Sequence, residues 1–165
     1  MAETLIPYIE YISNNDLVTT FILAMLPITE LRGSMPWAYF FTEISLIVIF
    51  ITSILGNFLV TIPIINFLRP TINFLSRWEI GNSFFTWILS RTRRRGAMIK
   101  QFHFWGLVLF VGIPLPITGA WTGCIAAHLF GIPKPKALFA IFVGLYISAS
   151  IVSMLLLTGS WIINT

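Results

Sequence analysis

The sequence predicts an all-α polytopic membrane protein that is built as an inverted-topology repeat. In each half, a re-entrant helical hairpin is followed by one transmembrane helix, and interfacial amphipathic helices lie between the halves. Three observations lead to this prediction. The chain is highly apolar, two long stretches carry no charge, and the tetrapeptide Leu-Pro-Ile-Thr occurs in both halves, at residues 26–29 and 115–118.

The composition is that of a membrane protein. Of the 165 residues, 57% are hydrophobic and 10% are charged, whereas a soluble domain has about 25% charged residues. Mean hydropathy is +0.90 and the pI is about 9.6. The basic excess is therefore interpreted through the positive-inside rule, and nucleic-acid binding is not expected. The single Cys124 excludes a disulfide framework, and the acidic start of the chain does not resemble a signal peptide.

The first hairpin is predicted over residues 17–42. Its first arm, residues 17–25, is apolar, and Pro27 interrupts the sequence soon after. A helix that crosses a bilayer needs about 20 residues, so this arm is too short. The polar side chains of Asn14, Asn15 and Asp16 are expected to cap its start.

The second arm of this hairpin is expected to begin with Ser34 as its cap and Pro36 in its first turn, where a missing N–H does no harm. Residues 44–68 then run without a charge. They are long enough to form the first transmembrane helix.

Residues 69–100 hold most of the basic residues, with aromatic residues interleaved. They are predicted to be a cytoplasmic linker of amphipathic helices at the headgroup level. The second hairpin is predicted at residues 101–131, with a turn that contains Pro114 and Pro116. Residues 137–158 form the second transmembrane helix.

Three smaller features complete the second half. Thr118 is expected to cap the second arm of its hairpin. Gly131 is expected to end that arm. The small residues Gly144 and Ser148 lie at helical spacing, which permits close packing against another helix.

The charge distribution predicts the orientation in the membrane. The basic linker and the Lys134–Lys136 segment are expected on the cytoplasmic side, and both termini outside. The hairpins then enter from opposite sides, and in such folds the site lies near the midplane. An alternative, in which each hairpin is two full spans, gives the same sidedness.

Glu30 and Arg32 are the main candidate site residues, because a charged group at membrane depth costs about 2.5–3.5 kcal/mol and is functional by default. Arg32 is expected to bind an anion and Glu30 to take up and release a proton. The alternative is an ion pair that only pins the turn. Further candidates for substrate or proton binding are Thr29, Gly33, Asn57, Thr118 and Trp121; turn-forming roles are expected for Pro27, Pro36, Pro114, Pro116, Gly119 and Gly123.

Two motifs carry a resemblance to a known family. They are Glu30-Leu31-Arg32-Gly33 with Pro36, and the segment from Pro114 to Gly123. With these motifs the chain resembles the putative small multidrug export protein family, which is thought to be related to the DedA superfamily. The family name implies export, and the DedA relationship implies lipid translocation, often coupled to the proton gradient. The resemblance also implies the plasma membrane of a bacterium or archaeon.

The expected function is therefore transport of an anionic lipid or lipid-phosphate headgroup, with Arg32 on the anion and Glu30 coupling it to protons. The alternatives are export of amphipathic cations, and a passive scramblase or membrane-shaping protein. No catalytic motif or metal-ligand cluster is recognisable, so neither an enzyme nor a cofactor is expected. Membrane lipids and a second copy of the chain, as a homodimer or larger homo-oligomer, are the expected partners.

Overall fold

The computed structural model describes residues 15–75, 103–115 and 118–163. Over these residues the chain has six helices and no strand, which confirms the predicted all-helical class for this part of it. Residues 1–14, residues 76–100 of the predicted linker, and Pro116 lie outside the described residues. The helices are α1 (Asp16–Met25), α2 (Glu30–Phe41), α3 (Leu46–Leu75), α4 (Phe104–Gly112), α5 (Ala120–Leu129) and α6 (Lys134–Ile163).

The helices fall into two length classes. Helices α3 and α6 have 30 residues each, or about 45 Å at 1.5 Å per residue. They contain apolar stretches, Leu46–Leu68 and Lys134–Ile162, with a mean hydropathy of 2.3. Both stretches are long enough to cross a bilayer, whose hydrocarbon core is about 30 Å thick. The other four helices have 9 to 12 residues and reach only about 14–18 Å.

The exposed face of α3 is apolar along most of its length. Its members recur at every fourth residue, as one stripe of a helix requires, and they are Ile47, Ile51, Leu55 and Leu59. The buried face carries Ile49 and the polar residues Ser53, Asn57 and Thr61 at the same spacing. A helix with polar groups inside and an apolar outside is suited to lipid as its solvent.

The chain divides into two compact units. Residues 15–57 and 149–163 belong to the first, and the described part of Phe58–Ser148 forms the second. Each unit therefore contains one pair of short helices together with parts of α3 and α6.

In the first unit, α1 and α2 form a helical hairpin whose helices contact each other. The Asn15 side chain accepts a hydrogen bond from the Val18 N–H at 3.3 Å, which confirms that this residue caps α1. Gly56 brings α3 against α1, because a Cβ at this position would lie 2.6 Å from the Phe21 carbonyl oxygen and 3.1 Å from the Ala24 Cβ. The close approach of α1 and α3 therefore depends on glycine.

In the second unit, α4 and α5 form the corresponding hairpin. Gly131 has a φ of 67° and follows α5, and the N–H of Ile132 donates to the Ala127 carbonyl oxygen at 2.9 Å. With the bond from Gly131 to His128, this is a Schellman motif. The predicted helix end at Gly131 is confirmed.

Gly144 provides the close contact of the second unit. A Cβ there would lie 2.7 Å from the Val111 Cβ and 2.9 Å from the Val108 carbonyl oxygen, which confirms the prediction that Gly144 permits close helix packing. The contact repeats that of Gly56, which meets a carbonyl oxygen and, three residues further on, a Cβ of the first short helix. Each residue of the Gly56 contact precedes its counterpart in the Gly144 contact by the interval that separates the two tetrapeptides, to within two residues.

The structure corrects three local predictions in the hairpins. Helix α2 begins at Glu30, not at Ser34, so Pro36 lies inside the helix and Ser34 is buried rather than a cap. The helix starts earlier because backbone bonds already begin at the turn, where the Gly33 N–H donates to the Thr29 carbonyl oxygen at 2.8 Å. Pro36 is tolerated there at the loss of one helical hydrogen bond.

In the second hairpin, Gly119 rather than Thr118 is the N-cap of α5, and its N–H donates to Thr122 Oγ1 at 3.0 Å. Gly123 is not part of the turn but lies inside α5. A Cβ on it would lie 2.7 Å from Val111 Cγ2, so its role is close packing of α5 on α4.

Candidate functional site in the first unit

Glu30 occupies an unusual position at the start of α2. Only 7% of its surface is exposed. Its N–H donates to the Leu26 carbonyl oxygen at 2.9 Å, which ties it to the end of α1. Its φ of 48° lies in the left-handed region, which costs an L-residue about 1–2 kcal/mol. Backbone strain of this kind concentrates at functional sites, so this conformation makes Glu30 a candidate functional residue.

Arg32 lies in the same first turn of α2 and is half-buried. Side chains two apart do not face each other on a regular helix, yet Glu30 and Arg32 attract each other electrostatically. The acid is placed favourably at the positive end of the α2 macrodipole, whereas the base is placed unfavourably. The attraction of the carboxylate therefore offsets part of the cost of placing a half-buried base at this end of the helix.

A pair of serines joins α2 to α3. The Ser34 hydroxyl donates to the Ser53 Oγ at 3.0 Å, and both residues are fully buried. Ser34 lies seven residues before the end of α2, and Ser53 lies seven residues after the start of α3. The link between these helices is short, so they run antiparallel, and the serines stand at equal distances from it.

This geometry places Asn57 at the level of Glu30. Glu30 precedes Ser34 by one helical turn, and Asn57 follows Ser53 by one turn. Because residues four apart share a helix face, Asn57 lies on the same face of α3 as Ser53, and Glu30 lies one turn before Ser34, on the same side of the serine pair along antiparallel helices. Asn57 is fully buried. We refer to Glu30, Ser34, Ser53 and Asn57 as the polar cluster.

A comparison with known families identifies the chain at this point. Residues 30–151, well over half of the chain, match the family described as "Putative small multi-drug export protein". The chain belongs to this small multidrug export family. No curated protein and no solved structure matches it. Family membership and the two long apolar helices make it a membrane protein.

The family match begins at Glu30 and so contains the whole polar cluster of this small multidrug export protein. Helix α1 precedes the match. The segment shared with the family therefore includes the buried acid and its polar surroundings.

The turn residues of the two hairpins have structural contacts of their own. The Thr29 hydroxyl donates to the Leu23 carbonyl oxygen, and the Thr118 hydroxyl donates to the carbonyl oxygens of Ile113 and Leu115 at 3.1 and 2.9 Å. Each threonine thus satisfies carbonyl groups at or just after the end of the preceding short helix, and neither hydroxyl makes an N-terminal cap bond, which was the prediction for Thr118.

The two hairpins differ in their remaining turn residues. Gly33 is packed against Thr29, whose Cβ would lie 2.8 Å from a Cβ on the glycine. Pro27 is exposed, while Pro114 and Trp121 are half-buried. Trp121 is the second-unit counterpart of Arg32 when the two tetrapeptides are aligned, so the charged position of the first hairpin is aromatic in the second.

The polar cluster has no polar counterpart in the second unit when the short helices are aligned on the tetrapeptides and α3 and α6 on Gly56 and Gly144. The serine pair is replaced by a packing contact, in which a Cβ on Gly123 would lie 3.5 Å from Ile141 Cγ1. Glu30 and Ser34 correspond to Gly119 and Gly123 when the tetrapeptides are aligned, and Ser53 and Asn57 correspond to Ile141 and Leu145 when Gly56 is aligned with Gly144. An apolar version of this packing therefore exists within the same chain, so polar groups are not needed to hold such helices together.

The sequence predicts Glu30, Arg32 and Asn57 as site residues but does not predict the contact between Ser34 and Ser53. Ser34 is predicted to be a cap, and no role is predicted for Ser53. The signal was present, because Ser53, Asn57 and Thr61 recur at every fourth residue of an otherwise apolar span, as one face of a helix requires.

Removal of the serine pair has a modest expected effect. Ser34→Ala leaves the buried Ser53 hydroxyl without this partner and should cost about 1–3 kcal/mol, whereas the double variant Ser34→Ala/Ser53→Ala should cost less than the sum of the single changes. Thermal unfolding of the purified variants in detergent, followed by circular dichroism, measures both. Strictly additive losses would show that the two hydroxyls do not interact.

Proposed function

We propose that the chain is a small exporter that exchanges protons for amphipathic cations at Glu30. The observation that carries the proposal is the buried carboxylate of Glu30, held in a left-handed conformation at the start of α2. An intramembrane acid is costly unless it is used. Membership of an export family supports the direction of transport.

Exchange at one carboxylate supplies the coupling. A cation that binds the Glu30 carboxylate requires the proton to leave, and the returning proton releases the cation. Inward movement of protons down their gradient then drives cations outward. Arg32 supports this cycle because its charge attracts the carboxylate and stands in for the cation when the site is empty. No catalytic chemistry is needed for the exchange, so we propose a transporter and not an enzyme.

Arg32 favours a second candidate, in which the substrate is an anionic lipid headgroup as in DedA-like lipid translocation. The half-buried guanidinium at the positive end of α2 is suited to a phosphate group. The coupling has the opposite sign, because an anion that takes Arg32 from Glu30 favours protonation of the acid. Proton and anion then move together, and an inward proton gradient does not drive their export. Passive scrambling of lipid is the uncoupled form of this candidate.

Two features support an inverted repeat of re-entrant hairpins as the architecture for either function. The four short helices are about half as long as a bilayer core is thick, and the contacts of Gly56 and Gly144 match in kind. A site at hairpin turns near the midplane is typical of transporters with such repeats. We propose that the protein lies in the plasma membrane with this architecture and with both termini outside.

Exposed apolar side chains at the hairpin turns support assembly as a homodimer or larger oligomer. Ile28 is 95% exposed, and Leu115 is 49% exposed. In the proposed midplane position these turns contact lipid or a second copy of the chain. Cross-linking of the purified protein in nanodiscs distinguishes the two.

Transport in proteoliposomes tests the function. With an acidic lumen and a neutral exterior, ethidium should accumulate inside liposomes that contain the protein, because outward protons exchange for inward cations. Dissipation of the pH gradient with nigericin should abolish the accumulation, and protein-free liposomes are the control. Movement of fluorescent phosphatidylglycerol without ethidium transport would favour the anionic candidate. Ethidium movement that is independent of the gradient would refute coupling.

A further inference from the structure

Asn57 is the member of the polar cluster whose contacts within the structure do not explain it. It is fully buried on α3. Neither its Nδ2 nor its Oδ1 has a hydrogen-bond partner among the described residues. Buried polar groups are nearly always hydrogen-bonded, because an unmade bond costs the full desolvation of the group. A bound ligand would supply the hydrogen-bond partners that both atoms of this buried amide lack among the described residues.

A role in helix packing does not account for this amide. The corresponding position in the second unit is Leu145, which follows Gly144 as Asn57 follows Gly56 and is similar in size and 1% exposed. The chain thus builds the same kind of packing with an apolar side chain, and leucine would avoid the cost of burying an amide. Retention of asparagine destabilises the fold of the first unit and is consistent with a function there.

The position of Asn57 connects it to the proposed transport site. The Ser34–Ser53 hydrogen bond aligns α2 with α3, and Asn57 lies one turn beyond this bond, at the level of Glu30. A molecule bound at the Glu30 carboxylate is therefore within the reach of a second group on α3. An amide presents one donor and one acceptor side by side, which match the complementary pair of another amide.

We propose that Asn57 determines substrate specificity, and that the site takes amphipathic cations that carry a carboxamide or an equivalent adjacent donor and acceptor. The proposal rests on the proposed cation export, with the positive charge at Glu30 and the amide at Asn57. The Ser34–Ser53 pair fixes the spacing between the two contacts. Cations without such a group leave the Asn57 amide unsatisfied and bind more weakly.

Two matched probes test the specificity: 1-decylnicotinamide and 1-decylpyridinium, cations that differ only in a carboxamide. Binding to the purified protein in nanodiscs is measured by isothermal titration calorimetry. The wild-type protein should bind decylnicotinamide about ten- to a hundredfold more tightly. Asn57→Leu should remove this preference by weakening the binding of decylnicotinamide, whereas Glu43→Gln, at an exposed acid between α2 and α3, should keep the preference.

Thermal unfolding without ligand supplies a second readout. Asn57→Leu should raise Tm by about 2–4 °C, because it removes an unpartnered buried amide. Leu145→Asn is the matched control and should lower Tm, since it creates such an amide. A purely structural role for Asn57 predicts that Asn57→Leu lowers Tm instead.

The outcomes separate this inference from the proposed function. Equal binding of the two probes by the wild-type protein, binding of neither, a preference that survives Asn57→Leu, or a lowered Tm in that variant would each overturn the role of Asn57. Loss of pH-driven transport in proteoliposomes, with the probe preference intact, would refute proton exchange and leave the specificity site standing.

Discussion

Alanine in place of Gly56 is expected to destabilise the first unit by about 1–3 kcal/mol, and Gly144→Ala should do the same in the second unit. On an open helix surface the same change would stabilise by up to about 1 kcal/mol, because alanine is the better helix former. The new Cβ at position 56 would lie 2.6 Å from a backbone oxygen of α1, so the helices must separate to admit it. Leucine at either position should prevent folding, as measured by the yield of monodisperse protein and by Tm.

Gly159 provides the matched control for these changes. It lies on α6, and a Cβ added there would meet nothing within 4 Å. Gly159→Ala should therefore leave Tm unchanged or raise it. If Gly56→Ala and Gly144→Ala unfold at the same temperature as Gly159→Ala, the close approach of the helices is not required.

Loss of the Glu30 carboxylate is expected to have the largest effect on function. Glu30→Gln keeps the size of the side chain and removes its charge and its exchangeable proton. Accumulation of ethidium driven by a pH gradient should fall to the level of protein-free liposomes. The fold should persist, because glutamine preserves the side-chain volume and can still hydrogen-bond in the buried site. Initial uptake rates in proteoliposomes, together with Tm of the same preparations, measure the two effects.

Glu43 is the control for this experiment. It is an exposed acid in the link between α2 and α3, so Glu43→Gln changes the net charge equally without touching the polar cluster. It should transport as the wild type does. Gradient-driven uptake that survives Glu30→Gln would exclude Glu30 as the proton-exchange group.

Arg32 distinguishes the two candidate substrates in the same assay. Arg32→Gln removes the internal cation and leaves the Glu30 carboxylate for a cationic substrate, so ethidium should still bind. Transport of an anionic lipid should instead be lost. Retained ethidium binding in Arg32→Gln thus indicates a cationic substrate, and lost transport of the lipid indicates an anionic one.

Much of the fold was predictable because it depends on local patterns. The apolar runs of α3 and α6 exceed the length that a bilayer requires, and Asn15 caps α1 through a bond to a neighbour three residues away. The end of α5 at Gly131 likewise depends on a single backbone conformation. Each of these features is contained within a few consecutive residues.

Predictions failed where contacts from outside the segment decide the outcome. Ser34 and Pro36 have the composition of a helix start, but backbone bonds at the Leu26–Thr29 turn begin α2 at Glu30 and place both residues inside it. Thr118 has the composition of a cap, but its hydroxyl bonds backward to the end of α4.

The same distinction between local sequence patterns and tertiary contacts holds for the candidate site. By itself the sequence determined that the chain is an apolar, helical membrane protein with one acid and one base, Glu30 and Arg32, beside a helix break. Only the tertiary structure decided that Ser34 meets Ser53, and that Asn57, one turn beyond, is buried without a hydrogen-bond partner among the described residues. Charge and apolar periodicity are properties of a segment, whereas burial and pairing depend on which segments meet, and helix packing decides that.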